Sequence, residues 1–234
     1  MDTLYEVLSD IRIFLYGGMV NLPLTIAGSM LLLGLFTANF AMLFFLLGYL
    51  VLSPLFTLGV NFIYNLVSSE KVGYTSTADV CKVSTHSTNQ PSDTKNPFAS
   101  PWMAMISFFL GYMVTNSFVL FSRDTLETTI TVKTTDAPDI NTKVAHRRSQ
   151  AMISLISIFV FAIATLWFRY STGCENVWGM LLTAVLGGVL GFGWYKALSR
   201  TGQDRLSDLF GIANRLLPSS AITNQPIACI PVAM

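Results

Sequence analysis

Long uncharged apolar stretches alternate with polar segments along this chain. The longest stretch covers 57 residues, from Ile13 to Ser69, and contains no formally charged side chain. One crossing of a bilayer needs about 20 apolar residues, so this stretch is long enough for two crossings. The pattern therefore predicts a protein that is integral to a membrane.

The apolar stretches predict an all-α polytopic bundle with about five transmembrane spans. A polar break at Thr37-Ala38-Asn39 turns residues 21–67 into a helical hairpin, and Pro54 is expected to kink its second arm because proline removes a backbone donor. The first span is short and carries Asn21 and Pro23, so a re-entrant first segment with four true spans is the alternative. The predicted spans are 21–36, 40–60 with an extension to 67, 102–121, 151–168 and 177–198.

The polar segments are expected to lie outside the membrane. Residues 68–101 are rich in Ser, Thr, Asn and Pro and are predicted to be a flexible loop, and residues 122–150 are predicted to be a second polar loop. Residues 1–20 are predicted to be an amphipathic segment that either lies in the membrane interface or extends the first span into water.

The segment 199–234 is predicted to be an amphipathic helix followed by an extended tail, with Pro218 ending the helix. Its apolar face is expected to contact lipid or the protein itself, and docking to a partner is the alternative. This face consists of Leu206, Leu209, Phe210, Ala213, Leu216 and Leu217.

Charge is scarce and nearly balanced. Only 12% of the residues are charged, against about 25% in soluble domains. The net charge of +1 gives no basic field for nucleic acid. In the five-span arrangement nine Lys and Arg residues lie on the face of the C-terminus and five on the other face, so the positive-inside rule predicts a cytosolic C-terminus.

The sequence offers no candidate catalytic residue, metal ligand or cofactor site. Its two histidines, His86 and His146, lie in polar segments, and the predicted span interiors carry no ionisable residue, which is the usual pointer to an ion path. We therefore expect neither an enzyme nor a cofactor. The neutral polar residues of the spans are expected to hold helices together rather than line a pore; they are Thr25, Asn61, Asn65, Thr115, Asn116 and Thr183.

Two features predict tight internal contacts. Gly187 and Gly191 form a GxxxG face, which lets a helix approach another closely, either within the bundle or in a second copy. Cys81 and Cys174 share the predicted non-cytosolic face and would form a disulfide if that face is oxidising, whereas two free thiols are the alternative. Cys229 is predicted to lie on the other side, unpaired.

Two stretches have a familiar pattern: GSMLLLGLFTANFAMLFFLLGYLVLSPLF in the first hairpin, and GCENVWGMLLTAVLGGVLGFGWYKAL with DLFGIANRLLP after it. They resemble multi-pass membrane proteins of large nucleocytoplasmic double-stranded DNA viruses, such as the algal chloroviruses. The resemblance covers about half of the chain and brings no catalytic residues. It implies a virion membrane or minor capsid component in the internal membrane beneath an icosahedral capsid.

These observations together predict a structural multi-pass membrane protein that anchors or links a partner assembly to a bilayer. Its expected partners are lipid, other membrane or capsid proteins and a second copy of itself, without nucleic acid. The alternative is a channel or carrier for a neutral small solute, lined by the Asn and Thr residues of the spans.

Overall fold

The computed structural model describes residues 2–67, 81, 98–122, 137–201, 204–207 and 209. Every element formed by these residues is a helix, which confirms the all-α class. Four helices are long and apolar enough to cross a membrane, or five if one bent pair counts as a span. The helices are α1 (Asp2–Val20), α2 (Leu22–Phe36), α3 (Phe40–Leu47), a π-helical turn (Gly48–Leu52), α4 (Ser53–Val67), α5 (Pro101–Ser122), α6 (Ala137–Ser171), α7 (Val177–Arg200) and α8 (Asp204–Ser207).

The helices of membrane length lie close to the predicted spans. The second span takes its longer form, Phe40–Val67, and the ends of Pro101–Ser122, Arg148–Ser171 and Val177–Arg200 fall within three residues of the predicted ends. Helix α6 differs, because it begins at Ala137 inside the segment predicted to be a loop. Pro138 is tolerated in its first turn and no glycine or proline follows, so nothing in the sequence interrupts the helix before the membrane.

The second span is distorted at the turn before its proline. The backbone N–H of Ser53 bonds to the carbonyl of Gly48, five residues back, which is the π-helical pattern. Because Pro54 has no N–H and its ring crowds the preceding turn, a local widening of the helix removes the clash without ending the helix. The distortion expected at Pro54 therefore takes the form of a π-helical turn within one 28-residue span.

Helices α1 and α2 form the bent pair. Ile13–Val20 meets Leu22–Phe36 at an angle of 72°. The carbonyl of Val20 accepts a bond of 3.0 Å from the indole N–H of Trp102 at the start of α5, whereas Asn39, in the turn after α2, donates to the carbonyl of Leu209 beyond the C-terminal end of α7. Helix α2 therefore runs between the two ends of the bundle, which favours a crossing over a re-entrant loop.

Helix α5 occupies the centre of the bundle. It packs along α7 on one side and against α6, α4 and α2 on others, and more than half of its side chains are buried. The outward faces of α4, α6 and α7 carry exposed Leu, Ile, Val, Phe and Trp side chains, as expected of surfaces that contact lipid. The bundle consequently has a packed axis on α5 and an apolar outer surface.

Candidate functional site: the disulfide end of the bundle

The polar chemistry of the described residues is concentrated where α5 and α7 begin and α4 and α6 end. We call this the disulfide end, because a bond between Cys81 and Cys174 lies there, with the two Cα atoms 5.4 Å apart. Cys174 lies in the short connection from α6 to α7, and Cys81 belongs to the connection from α4 to α5. The disulfide therefore ties two connections together across 93 residues of sequence.

A fully buried ion pair lies beside the disulfide. Arg169, in the last turn of α6, is 0% exposed and donates from Nε and Nη2 to one carboxylate oxygen of Glu175, at 2.9 Å and 2.6 Å. Glu175 directly follows Cys174 in the chain. The guanidinium stays protonated in proteins, so its burial requires this counter-charge.

Further groups surround the guanidinium of Arg169. Nη2 also donates to the hydroxyl of Ser100 at 3.2 Å and makes a long 3.5 Å contact with the carbonyl of Cys81. The Trp102 ring lies under the guanidinium carbon, 4.7 Å from centroid to carbon, so a cation–π contact adds to the pair. Nη1 of Arg169 and Oε2 of Glu175 are buried and have no hydrogen-bond partner among the described residues.

A third restraint joins α4 to the residues before α5. The side chain of Asn61 donates to the carbonyl of Ala99 at 3.1 Å and accepts from its N–H at 2.7 Å. The amide side chain thus pairs with both backbone groups of Ala99, using its N–H as donor and its oxygen as acceptor. Asn61 therefore fixes the chain just before Ser100 and Trp102, the two groups that contact Arg169.

The other neutral polar residues of the spans do less than predicted. Thr25 and Thr115 bond to carbonyls four residues back along the chain, and Asn65 is exposed. Asn116 Oδ1 and Thr183 Oγ1 are buried without a partner in the part of the chain that the structure describes. Ser117 of α5 and Ser154 of α6 form a hydrogen bond of 3.0 Å between two spans, a pair that was not expected from the sequence.

The two predicted packing glycines lie within the bundle, against α5. A Cβ on Gly187 would stand 2.8 Å from the carbonyl oxygen of Ala104, and a Cβ on Gly191 would overlap the carbonyl oxygen of Phe108. Gly111 of α5 meets the backbone of α7 equally closely. The α5–α7 contact is therefore backbone against backbone, as a GxxxG face permits.

The opposite end of the bundle holds the start of the C-terminal segment. Ser207 is buried, and its carbonyl accepts a bond of 2.9 Å from the Tyr112 hydroxyl. Leu209 is also buried, and its carbonyl accepts from the Asn39 amide at 3.2 Å. Leu206 is half-buried. The apolar face thus packs against the protein as far as Leu209, and Phe210, Ala213, Leu216 and Leu217 lie outside the described residues.

The polar groups at the disulfide end hold chain segments together and are not exposed as reactive groups. Arg169 and Glu175 balance each other's charge inside the protein, and the two cysteines are joined in a disulfide. Among the described residues no group of three or more His, Cys, Asp or Glu could hold a metal ion. The chemistry that the described residues offer at this end is electrostatic restraint and thiol–disulfide exchange.

Sequence reasoning missed the buried ion pair. The predicted fourth span ends at residue 168, which leaves Arg169 just beyond it, where an arginine normally extends its head into water. A signal was nevertheless present: an arginine, a cysteine and a glutamate lie within seven residues, at positions 169, 174 and 175. The α5 side of the glycine contact was missed as well, although Ser107 and Gly111 repeat the small-residue spacing of α7.

Comparison with known proteins identifies no relative of this chain. No protein-family model, curated protein or solved structure gives a significant match to the chain. The fold and the apolar surface fit an integral membrane protein, and the resemblance to viral membrane proteins stays a prediction.

Proposed function

We propose that this chain is a structural membrane protein that anchors a partner assembly to a bilayer. The observation that supports the proposal is that polar groups join separate segments of the chain to one another at both ends of an apolar bundle. At one end the Cys81–Cys174 bond and the Arg169–Glu175 pair fix two connections. At the other end Tyr112 fixes the segment that leads to the C-terminal tail.

Such restraints suit an anchor better than a transporter. Alternating access needs one part of a bundle to rock against another. Here the central helix α5 contacts α7 through backbone at Gly187 and Gly191, so these two helices have little freedom to slide. A bundle fixed in this way transmits force between the bilayer and whatever binds its polar segments.

The setting of this role follows from the sequence. The resemblance to membrane proteins of large DNA viruses suggests an internal virion membrane, with a coat or scaffold protein as the partner. We place the disulfide end away from the cytosol, because disulfides persist in oxidising compartments, and the C-terminus on the cytosolic side. The nine-to-five distribution of Lys and Arg supports the same orientation.

Quantitative mass spectrometry of a mild-detergent pull-down from the native source tests this function. We expect the full chain to recover one abundant coat or scaffold protein in stoichiometric amount. Deletion of residues 210–234 should abolish that recovery, because it removes the tail while leaving the packed segment up to Leu209 in place. Recovery of the chain alone, or undiminished recovery after the deletion, would contradict the proposal.

A second candidate function is a channel or carrier for a neutral small solute. It is favoured by neutral polar atoms that are buried in three spans without a partner among the described residues, an arrangement that is costly unless something polar satisfies it. These atoms belong to Ser53, Ser107, Asn116 and Thr183.

Stopped-flow swelling of proteoliposomes in glycerol or urea distinguishes this candidate. If the chain is an anchor, liposomes that contain it should be as impermeable as protein-free liposomes. Permeability well above that level, reduced by Asn116→Leu and Thr183→Val but not by Thr25→Val on an exposed surface, would make the channel the first candidate.

A further inference from the structure

The disulfide connects two segments of the chain that both contact the guanidinium of Arg169. Glu175, which pairs with Arg169, directly follows Cys174 in the chain. The carbonyl of Cys81 contacts Nη2 of Arg169 at 3.5 Å. The disulfide therefore joins Cys81, whose carbonyl contacts the charge, to Cys174, the residue directly before the counter-charge on Glu175. Without the disulfide, the contact that remains for Cys81 among those described is its 3.5 Å interaction with Arg169.

Two atoms of the ion pair have no hydrogen-bond partner within the part of the chain that the structure describes. Nη1 of Arg169 and Oε2 of Glu175 are buried and have no partner among the described residues, although each is a strong hydrogen-bonding group. A buried charge with unpaired donors gains free energy when water reaches it. The cluster is thus held closed against a tendency to hydrate.

From this combination we infer that the disulfide is a redox-controlled lock on the disulfide end. In the oxidised protein it keeps Cys81 and the turn at Cys174–Glu175 over Arg169. A dithiol reductant opens the lock by thiol–disulfide exchange: its two electrons break the S–S bond, Cys81 and Cys174 each take up one proton, and the reductant becomes a disulfide. Water then enters beside Trp102 and solvates both charges.

The lock is local. The α5–α7 contact at Gly187 and Gly191 lies further along the helices and shares no residue with the cluster at Arg169. Opening the disulfide end therefore leaves the bundle folded. It changes the surface that the chain presents on one side of the membrane according to the redox state of that compartment, which is a property beyond the anchoring function.

Hydrogen–deuterium exchange of the full chain in lipid nanodiscs tests the lock. A Cys229→Ser background leaves Cys81 and Cys174 as the reactive pair, and the sample is compared before and after treatment with dithiothreitol. We expect backbone exchange in residues 98–104 and 168–178 to rise by about tenfold or more on reduction. Exchange in residues 183–195 of α7 should stay unchanged.

Two variants make the test decisive. Cys81→Ser with Cys174→Ser should show the fast exchange without any reductant. Arg169→Met with Glu175→Leu keeps the disulfide but removes the charges that water would solvate, so reduction should raise its exchange far less. Equal exchange before and after reduction, or loss of protection along the whole of α7, would overturn the inference.

Discussion

Gly191→Leu is expected to prevent the bundle from forming. A Cβ at this position would overlap the carbonyl oxygen of Phe108 and stand 2.9 Å from the backbone nitrogen of Tyr112. Both obstacles are backbone atoms of the central helix α5, so no side-chain rotation relieves the clash. Overpacking of a tight core commonly costs about 1–3 kcal/mol, and we expect a cost at or above about 3 kcal/mol here because α5 itself must move.

The fraction of protein that elutes as a single species in mild detergent, and its midpoint of thermal unfolding, measure this effect. Gly193→Leu is the matched control, because it adds the same side chain to the same helix two residues away, where a Cβ meets nothing within 4 Å. Wild-type behaviour of Gly193→Leu beside aggregation of Gly191→Leu would support the packing role. A folded Gly191→Leu protein of ordinary stability would contradict it.

The sequence was sufficient to predict where the helices lie, because the length of an apolar stretch is a local property. Phe40–Val67 was recognisable from its lack of charged residues, and Val177–Arg200 from an uncharged apolar run that continues to Lys196. The outward continuation of α6 to Ala137 could not be recognised from the sequence, because polar residues that favour a helix and polar residues that favour a loop have similar hydropathy.

The contacts between helices depend on information that a local pattern lacks. The GxxxG face at Gly187 and Gly191 indicated that something approaches closely, but the same spacing fits a neighbouring helix and a second copy equally well. The partner became clear only from the position of Ala104 and Phe108 on α5. Pairing across spans depends on the whole arrangement, so it required the structure.

The buried ion pair shows the same limit for the candidate site. Charge counting places Arg169 at the end of a span, where an arginine ordinarily reaches water. Its burial follows from three neighbours that converge in space, namely Glu175 after a turn, Ser100 before α5 and Trp102 inside α5. Two of these are some 70 residues away in sequence, so spacing along the chain gave no hint of them.

Glu175→Ala is expected to destabilise the protein by about 3–5 kcal/mol, the usual cost of leaving one partner of a buried ion pair alone. Arg169 is 0% exposed, so without Glu175 its guanidinium charge would remain inside the protein, where its other contacts among the described residues are Ser100, the Cys81 carbonyl and the Trp102 ring. The free energy of unfolding, measured by detergent-induced unfolding of the oxidised protein, checks this value.

The double variant Arg169→Met with Glu175→Leu separates lost pairing from lost packing. Hydrophobic replacement of a whole buried ion pair is often neutral or stabilising, so we expect the double variant to regain most of the stability that Glu175→Ala loses. Arg200→Met is the control for removing an arginine at a helix end, and its exposed position predicts a change within about 0.5 kcal/mol. If the double variant is as unstable as Glu175→Ala, the uncompensated charge is not the cause. The stabilising role would then belong to the shape of the two side chains against Trp102.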